Sequence, residues 1–263
     1  FIGRFRAKAT KARQAQSRVK QLEKMEIPEV KRSSRISPSF CFEQSRHSGR
    51  TVLTVNNICK SFADKSVLNH ISFEIQRGEK VAIIGPNGIG KSTLLKIILD
   101  KINADEGHFK WGYETKTSYY AQDHQEHFDG KINSFDWLYS YAPHASISTI
   151  RGLLGRVLIS GEEALKQVST LSGGESARLL FARIMLEKNN VLILDEPTNH
   201  MDLEGVEALG DALNLFNGTV VFVSHYRHFV EKVADHIIEM TIDGIRDFYG
   251  SYNEYLENFG EDY

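Results

Sequence analysis

The sequence predicts an α/β protein with a mostly parallel sheet at its core. An antiparallel β layer and a small helical subdomain accompany the sheet, and a basic helix precedes them. Three observations lead there. The runs Val81-Ala82-Ile83-Ile84, Val191-Leu192-Ile193-Leu194 and Thr219-Val220-Val221-Phe222-Val223 have the length and apolar uniformity of strands buried on both faces. The first runs into Gly85-Pro86-Asn87-Gly88-Ile89-Gly90-Lys91-Ser92-Thr93 and then Leu94-Leu95-Lys96-Ile97-Ile98-Leu99, in the order strand, glycine loop, helix. Ahead of it, Val52-Leu53-Thr54-Val55 and residues 67–75 read as strands of an antiparallel layer.

Bulk properties narrow the class. The 263 residues suffice for one large domain or two small ones. With 41% hydrophobic and 25% charged residues the composition is ordinary for a globular protein, and no apolar run approaches the ~20 residues of a membrane-spanning helix. No membrane partner is therefore expected. Cys41 and Cys59 have neither metal-ligand spacing nor a disulfide framework, and read as unpaired thiols in a reducing cytoplasm. The chain begins at Phe1 rather than Met, so a fragment of a longer protein is expected. The formal charge of −2 hides an asymmetry: residues 1–50 hold 13 Lys plus Arg against 4 Asp plus Glu, a balance of +9, and the rest carries −11. A basic arm is attached to an acidic body; the arm is the part that would meet a polyanion, and a solvated helix face is the plainer reading of the same charges.

In chain order, residues 1–28 read as a basic linker helix. Ile2, Phe5, Ala9, Ala12, Val19 and Leu22 form one narrow apolar stripe, as in half of a helical hairpin, and Pro28 should end it. Residues 29–50, rich in Ser and Arg, read as a linker or a loop laid over the next domain, which is expected over 51–263. Residues 107–120 look like short strands. Residues 123–170 are more polar, with aromatic positions followed by helical spacing, and read as the helical subdomain. Leu171-Ser172-Gly173-Gly174-Glu175 then opens a helix.

The glycine loop has phosphate-binding spacing. Its glycines let successive N–H groups point inward at phosphate oxygens, Lys91 adds a charge for the β- and γ-phosphates, and Ser92 offers a hydroxyl to Mg²⁺. The second buried strand ends in Asp195-Glu196. Asp195 is placed for the Mg²⁺ shell, and Glu196, one residue on, for polarising an attacking water.

With Leu171-Ser172-Gly173-Gly174-Glu175 in place, the sequence resembles the ATP-binding cassette family, whose signature that pentapeptide is. The resemblance implies a RecA-like core in which the signature, here Ser172, Gly173, Gly174 and Glu175, closes over the γ-phosphate held by a facing domain. Two domains then sandwich two ATP molecules. By the same resemblance Phe62 stacks on adenine, Gln122 reaches Mg²⁺ and the water, His225 contacts the γ-phosphate, and Asp202 faces the opposite subunit. Asn199-His200 in the stretch Asp195-Glu196-Pro197-Thr198-Asn199-His200-Met201-Asp202-Leu203 marks the ABC-F branch, and the whole is similar to its YheS-like bacterial group. Three departures stand out: Met201 where Leu is usual, Tyr226 after His225 where Asp is usual, and Ser176 where Lys is common.

The resemblance implies the second cassette of a soluble two-cassette ATPase, preceded by the end of its interdomain linker. It implies a translation factor that binds the ribosome near the tRNA exit site. Its partners would be rRNA, tRNA and the first cassette of the same chain, or a head-to-tail second copy of the fragment. Two rivals share the motifs: a transporter motor with a separate membrane subunit, and an ATP-sensing module without turnover. Asn199-His200 and the basic helix oppose the first, and the presence of Glu196 and His225 opposes the second.

Overall fold

The computed structural model describes residues 37–63, 65–123, 128 and 130–260. The basic helix expected over residues 1–28 and the first part of the 29–50 segment lie outside them. One compact unit runs from Ser37 to Tyr263. Its main sheet contains β3 (Lys80–Ile84), β5 (Thr117–Tyr120), β6 (Val191–Asp195), β7 (Thr219–Val223), β8 (His236–Thr241) and β9 (Gly244–Tyr249), in the order β5-β6-β7-β3-β8-β9. All pairs are parallel except β8 with β9. A second, antiparallel sheet has the order β2-β1-β4, from β1 (Thr51–Phe62), β2 (Lys65–Gln76) and β4 (Glu106–Trp111).

Every residue of β3, β6 and β7 is buried. Alternate residues enter two separate cores. Ala82, Ile84, Leu192, Leu194, Val220 and Phe222 pack with helices α4 (Gly173–Glu187), α5 (Leu203–Leu215), α6 (Arg227–Val233) and α7 (Tyr252–Phe259). Val81, Ile83, Val191, Ile193, Val221 and Val223 pack with helix α1 (Lys91–Ile98) and with β1 and β2. Cover on both faces is why these runs read as uniformly apolar.

The helical subdomain holds α2 (Ser134–Ser140) and α3 (Ile147–Arg156). Asn133 caps α2 by accepting from the Asp136 amide, and Ser146 caps α3 by accepting from the Thr149 amide. Its aromatic positions are core: Phe128 and Trp137 are buried, with ring centres 5.0 Å apart.

Residues 37–50 contain no helix or strand, yet they belong to the compact unit, ahead of the expected start at Thr51. The cause is aromatic packing. Phe40 and Phe42 are buried against Phe181 at 5.1 and 6.2 Å. The Ser39 and Ser45 amides donate to the carbonyls of Arg156 and Lys188. Cys41 and Cys59 are free thiols.

One buried charge cluster ties the sheet edge together. His236 is fully buried, with Nδ1 3.0 Å from Glu79 Oε2 and Nε2 2.6 Å from Asp247 Oδ1. Its ring stacks on Tyr249 at 4.1 Å. Burial alone would lower its pKa, but the two carboxylates outweigh burial and raise it to about 9. A group whose folded pKa is raised stabilises fully below its unfolded pKa and loses that contribution as pH rises through the folded value. Nearby Lys80 runs the other way, because burial lowers its pKa to about 8. Comparison at one site removes that background. His236→Gln should therefore destabilise the protein by ~2–3 kcal/mol at pH 6, and the gap should shrink markedly by pH 10. Urea unfolding of both proteins at the two pH values measures it; a gap independent of pH would refute the charged assignment.

Candidate functional site

The loop between β3 and α1 is where the chain can approach an anion most closely. Gly85 (φ 136°) and Gly90 (φ 115°) are left-handed and crowded. A methyl group at Gly85 would come within 2.5 Å of the Met240 carbonyl oxygen, and one at Gly90 within 2.8 Å of Val67 and Leu68 side chains. Both the conformation and the space require glycine. Lys91 is the first residue of α1, and its Nζ donates to the carbonyls of Gly85 and Pro86 at 2.7 and 2.9 Å. The ammonium is thus held over its own loop. Burial lowers its pKa, while Glu196 and Asp195 act to raise it.

A cleft of about 590 Å³ collects most of the expected residues: Phe62, Asn87, Gly88 and Gly90 to Thr93 of the loop, Gln122, Glu196 and His225, whereas Pro86 and Ile89 line a second cleft. Phe62 ends β1 at the rim of the first cleft and is 50% exposed, with Lys60 Nζ 5.5 Å from its ring centre. Gln122 is exposed just past β5. Asn199 and Val67 also line the cleft. Sequence reasoning gave neither a role of its own, although Asn199 sits inside the stretch that suggested the branch. That second cleft, of about 600 Å³, lies on the outer side of the same loop, between β2 and β8. It contains none of Lys91, Asp195 and Glu196.

Asp195 closes β6 and is 2% exposed; Ser92 Oγ donates to its Oδ1 at 3.3 Å. Burial raises its pKa, against the pull of the Ser92 hydroxyl and of Lys96 and Lys91. A carboxylate and a hydroxyl facing each other are hard oxygen donors, and that donor set fits Mg²⁺. Glu196 follows in a left-handed conformation (φ 51°), uncommon for a residue with a side chain. Burial raises its pKa, the His225 amide opposes that, and Asp195 adds to it. His225 Nε2 lies 3.0 Å from Glu196 Oε1, and the His225 amide donates to Oε2 at 3.3 Å. Burial, and Lys91 after it, lower the His225 pKa.

The signature residues are elsewhere. Ser172 is the N-cap of α4 in a reciprocal capping box with Glu175. Glu175 Oε2 accepts from the Ser172 amide at 2.8 Å, and its Oε1 accepts from Lys166 at 2.8 Å. The Lys166 hydrogen bond is the main reason its pKa falls to about 2. Gly173 and Gly174 start α4 with ordinary helical backbone, so no left-handed turn requires them. Asp202 caps α5 by accepting from the Gly205 amide at 2.9 Å. None of Ser172, Gly173, Gly174, Glu175 or Asp202 lines the phosphate-loop cleft. Gly173 lines a different cleft of about 470 Å³, with His200, Ser176 and Gln122.

Known proteins resemble the chain throughout. Two family models, both described as ABC transporter, match residues 68–199 and residues 1–42. "Probable ATP-binding protein YbiT" of Escherichia coli O157:H7 is 41% identical over 99% of this chain and 49% of its own length. "ABC transporter F family member 2" of Arabidopsis thaliana is 39% identical over 98% and 38%. "Probable ATP-binding protein YheS" of Escherichia coli K12 is 33% identical over 98% and 40%. The chain thus spans at most about half the length of these relatives. A dimeric post-hydrolysis structure of the ATP-binding cassette MJ0796, bound to ADP and phosphate, matches at a TM-score of 0.65 and 21% identity. It covers 75% of this chain and 98% of that one, a likeness of fold.

The loop geometry sets one expectation. Lys91→Ala removes a charge-assisted donor, so affinity for Mg-ATP should fall ~10- to 100-fold. Titration calorimetry reads that loss. Thermal melts without nucleotide separate it from loosening of the Gly85 and Pro86 carbonyls. Unchanged affinity would remove the loop from nucleotide binding.

Proposed function

The chain belongs to the ABC transporter family and is an ATP-binding cassette of the ABC-F type, and from that premise we propose that it hydrolyses ATP as one of two facing cassettes in a cytoplasmic factor acting on the ribosome. The observation that carries the reading is the separation of two half-sites. Lys91, Ser92, Glu196 and His225 share one cleft or its wall, while Gly173 opens on another. In this reading a facing cassette supplies the signature to the loop. That cassette is the first one of a longer chain, or a second copy placed head to tail. The dimeric state of MJ0796 supports the arrangement by analogy of fold.

In this reading Phe62 carries the adenine. The loop amides and Lys91 hold the β- and γ-phosphates. Ser92 and Asp195, with Gln122, hold Mg²⁺, which when bound neutralises phosphate charge. Glu196 orients the water whose oxygen bonds to the γ-phosphorus; the bond from that phosphorus to the β–γ bridging oxygen breaks, and ADP leaves keeping the bridging oxygen. The His225 imidazole, now on Glu196, can turn to the γ-phosphate once nucleotide enters. Ser172, Gly173 and Gly174 meet the γ-phosphate of the facing site with the amides of a helix N-terminus, Glu175 holding that turn in shape. Asp202 lies toward the opposite subunit.

The ribosome assignment rests on charge and on the branch. The +9 balance of residues 1–50 suits rRNA and tRNA phosphates. The linker helix expected over residues 1–28 lies outside the described residues. Cassette closure on ATP fits the factor to the ribosome near the tRNA exit site; hydrolysis releases it. Among the described residues no helix is long and apolar enough to cross a membrane.

Glu196→Gln keeps shape and loses charge. ATP should still bind, and hydrolysis should fall ~100-fold or more. In the two-cassette protein with the matching Glu also changed, the closed state should pellet with ribosomes in ATP. If that variant stays in the supernatant with ATP bound, the ribosomal reading fails and the ATPase reading stands. Enrichment in membranes would favour a transporter motor.

A further inference from the structure

Glu175 puts a negative charge on the turn that, in the reading above, has to receive one. It stands in the first turn of α4, at the positive end of the helix, so its carboxylate competes with any phosphate brought to the same amides. Its Oε2 accepts from the Ser172 amide and from the Ser172 hydroxyl, both at 2.8 Å. Its Oε1 accepts from Lys166 Nζ at 2.8 Å. The Glu175 side chain is 13% exposed, and that of Lys166 45%. Lys166 comes from a different segment, just after a short 3-10 turn (Glu163–Leu165) of the helical subdomain. Its backbone is fixed there: its amide donates to the Glu163 carbonyl at 3.2 Å, and its carbonyl accepts from the Ser134 amide at 3.2 Å. Neither Lys166 nor Glu175 lines the phosphate-loop cleft.

We propose that Lys166 is a positioning residue: it holds the Glu175 carboxylate in its capping place and cancels its charge, so that a phosphate held by a facing cassette can dock on the amides of residues 172–174. The inference deepens the two-cassette ATPase reading and rests on it. The physics is one of sign. Without the ammonium, the arriving phosphate meets a carboxylate of its own charge as the two cassettes close and water leaves, and repulsion grows as the dielectric falls. With it, the pair is neutral and the helix end stays positive. Ser172 gains as well. Its hydroxyl donates to Glu175, and a carboxylate also served by Lys166 and the Ser172 amide gives up that one donor to the phosphate at lower cost. Glu163 acts on the same ammonium, after Glu175. Another cation stands near the turn: Arg178 Nη1 would lie 3.6 Å from a methyl group at Gly174.

Turnover and loop affinity, measured on the same variants, separate charge from shape. ATP hydrolysis is followed over a range of protein concentrations, because turnover needs a facing copy. Calorimetry with Mg²⁺ and the β,γ-imido analogue of ATP reads the phosphate loop of the single chain. Lys166→Met should lower turnover ~10-fold with loop affinity unchanged. Lys166→Arg keeps the charge and should stay within about twofold of the wild type. In a Glu175→Gln background, where the side chain can still complete the capping box, adding Lys166→Met should cost less than about twofold. The comparison of Lys166→Arg with Lys166→Met carries the test if Glu175→Gln is itself impaired. An equal loss from Lys166→Met in both backgrounds, or a loss in Lys166→Arg as large as in Lys166→Met, means packing rather than charge and overturns the proposal. No loss in Lys166→Met also overturns it and leaves the compensation to Arg178. Wild-type turnover that is absent or independent of protein concentration refutes the facing-copy reading itself, and the role of Lys166 falls with it.

Discussion

The pairing of Val223 with two neighbours is the constraint on which the site depends. On one side Val223 is in register with Ile83, on the other with Asp195. Three parallel strands therefore end side by side, and the next residue of each chain segment lies at that edge: Gly85, Glu196 and Ser224, with His225 one residue further. The Glu196 amide donates to the Val223 carbonyl at 2.9 Å, extending the ladder one residue past β6. Parallel strands with ends aligned place a ligand site beyond their carboxyl ends. A register slip of one residue would move Asp195 off Ser92 and turn every buried side chain to the wrong core.

The same edge concentrates charge away from water. Asp195 and Glu196 are adjacent, both buried, and both raised in pKa. Lys91 counters them while folded onto its own loop carbonyls. Such a cluster costs folding energy unless cation and phosphate complete it. Glu196 adds a left-handed backbone to that cost, held by the hydrogen bonds of its own amide and of the His225 amide.

Much of this was legible in the sequence, for physical reasons. Strands buried on both faces leave uniform apolar runs, and a glycine loop forced by crowding leaves its spacing. These gave the sheet, the loop and Asp195-Glu196. Phe40 and Phe42 were missed because they are core residues without a periodic element around them. The cluster of His236 with Glu79 and Asp247 was invisible, because its members are brought together across three segments. The close approach of His200 to Gly173 and Gly174 was not legible, because it is a contact between segments that only the fold creates.

The central claim is that one cassette carries two incomplete half-sites. Mixing complementary variants tests it most directly. Lys91→Ala chains keep the signature turn and lose the loop charge; Gly173→Glu chains keep the loop and set a carboxylate where a facing γ-phosphate would dock. Each alone should hydrolyse ATP far more slowly than the wild type at high protein concentration. An equal mixture should recover a measurable fraction of the wild-type rate, rising with protein concentration, because one pair in the mixture has an intact composite site. Wild-type hydrolysis by Gly173→Glu alone, independent of protein concentration, would contradict the claim, as would a silent mixture under conditions where the wild type turns over.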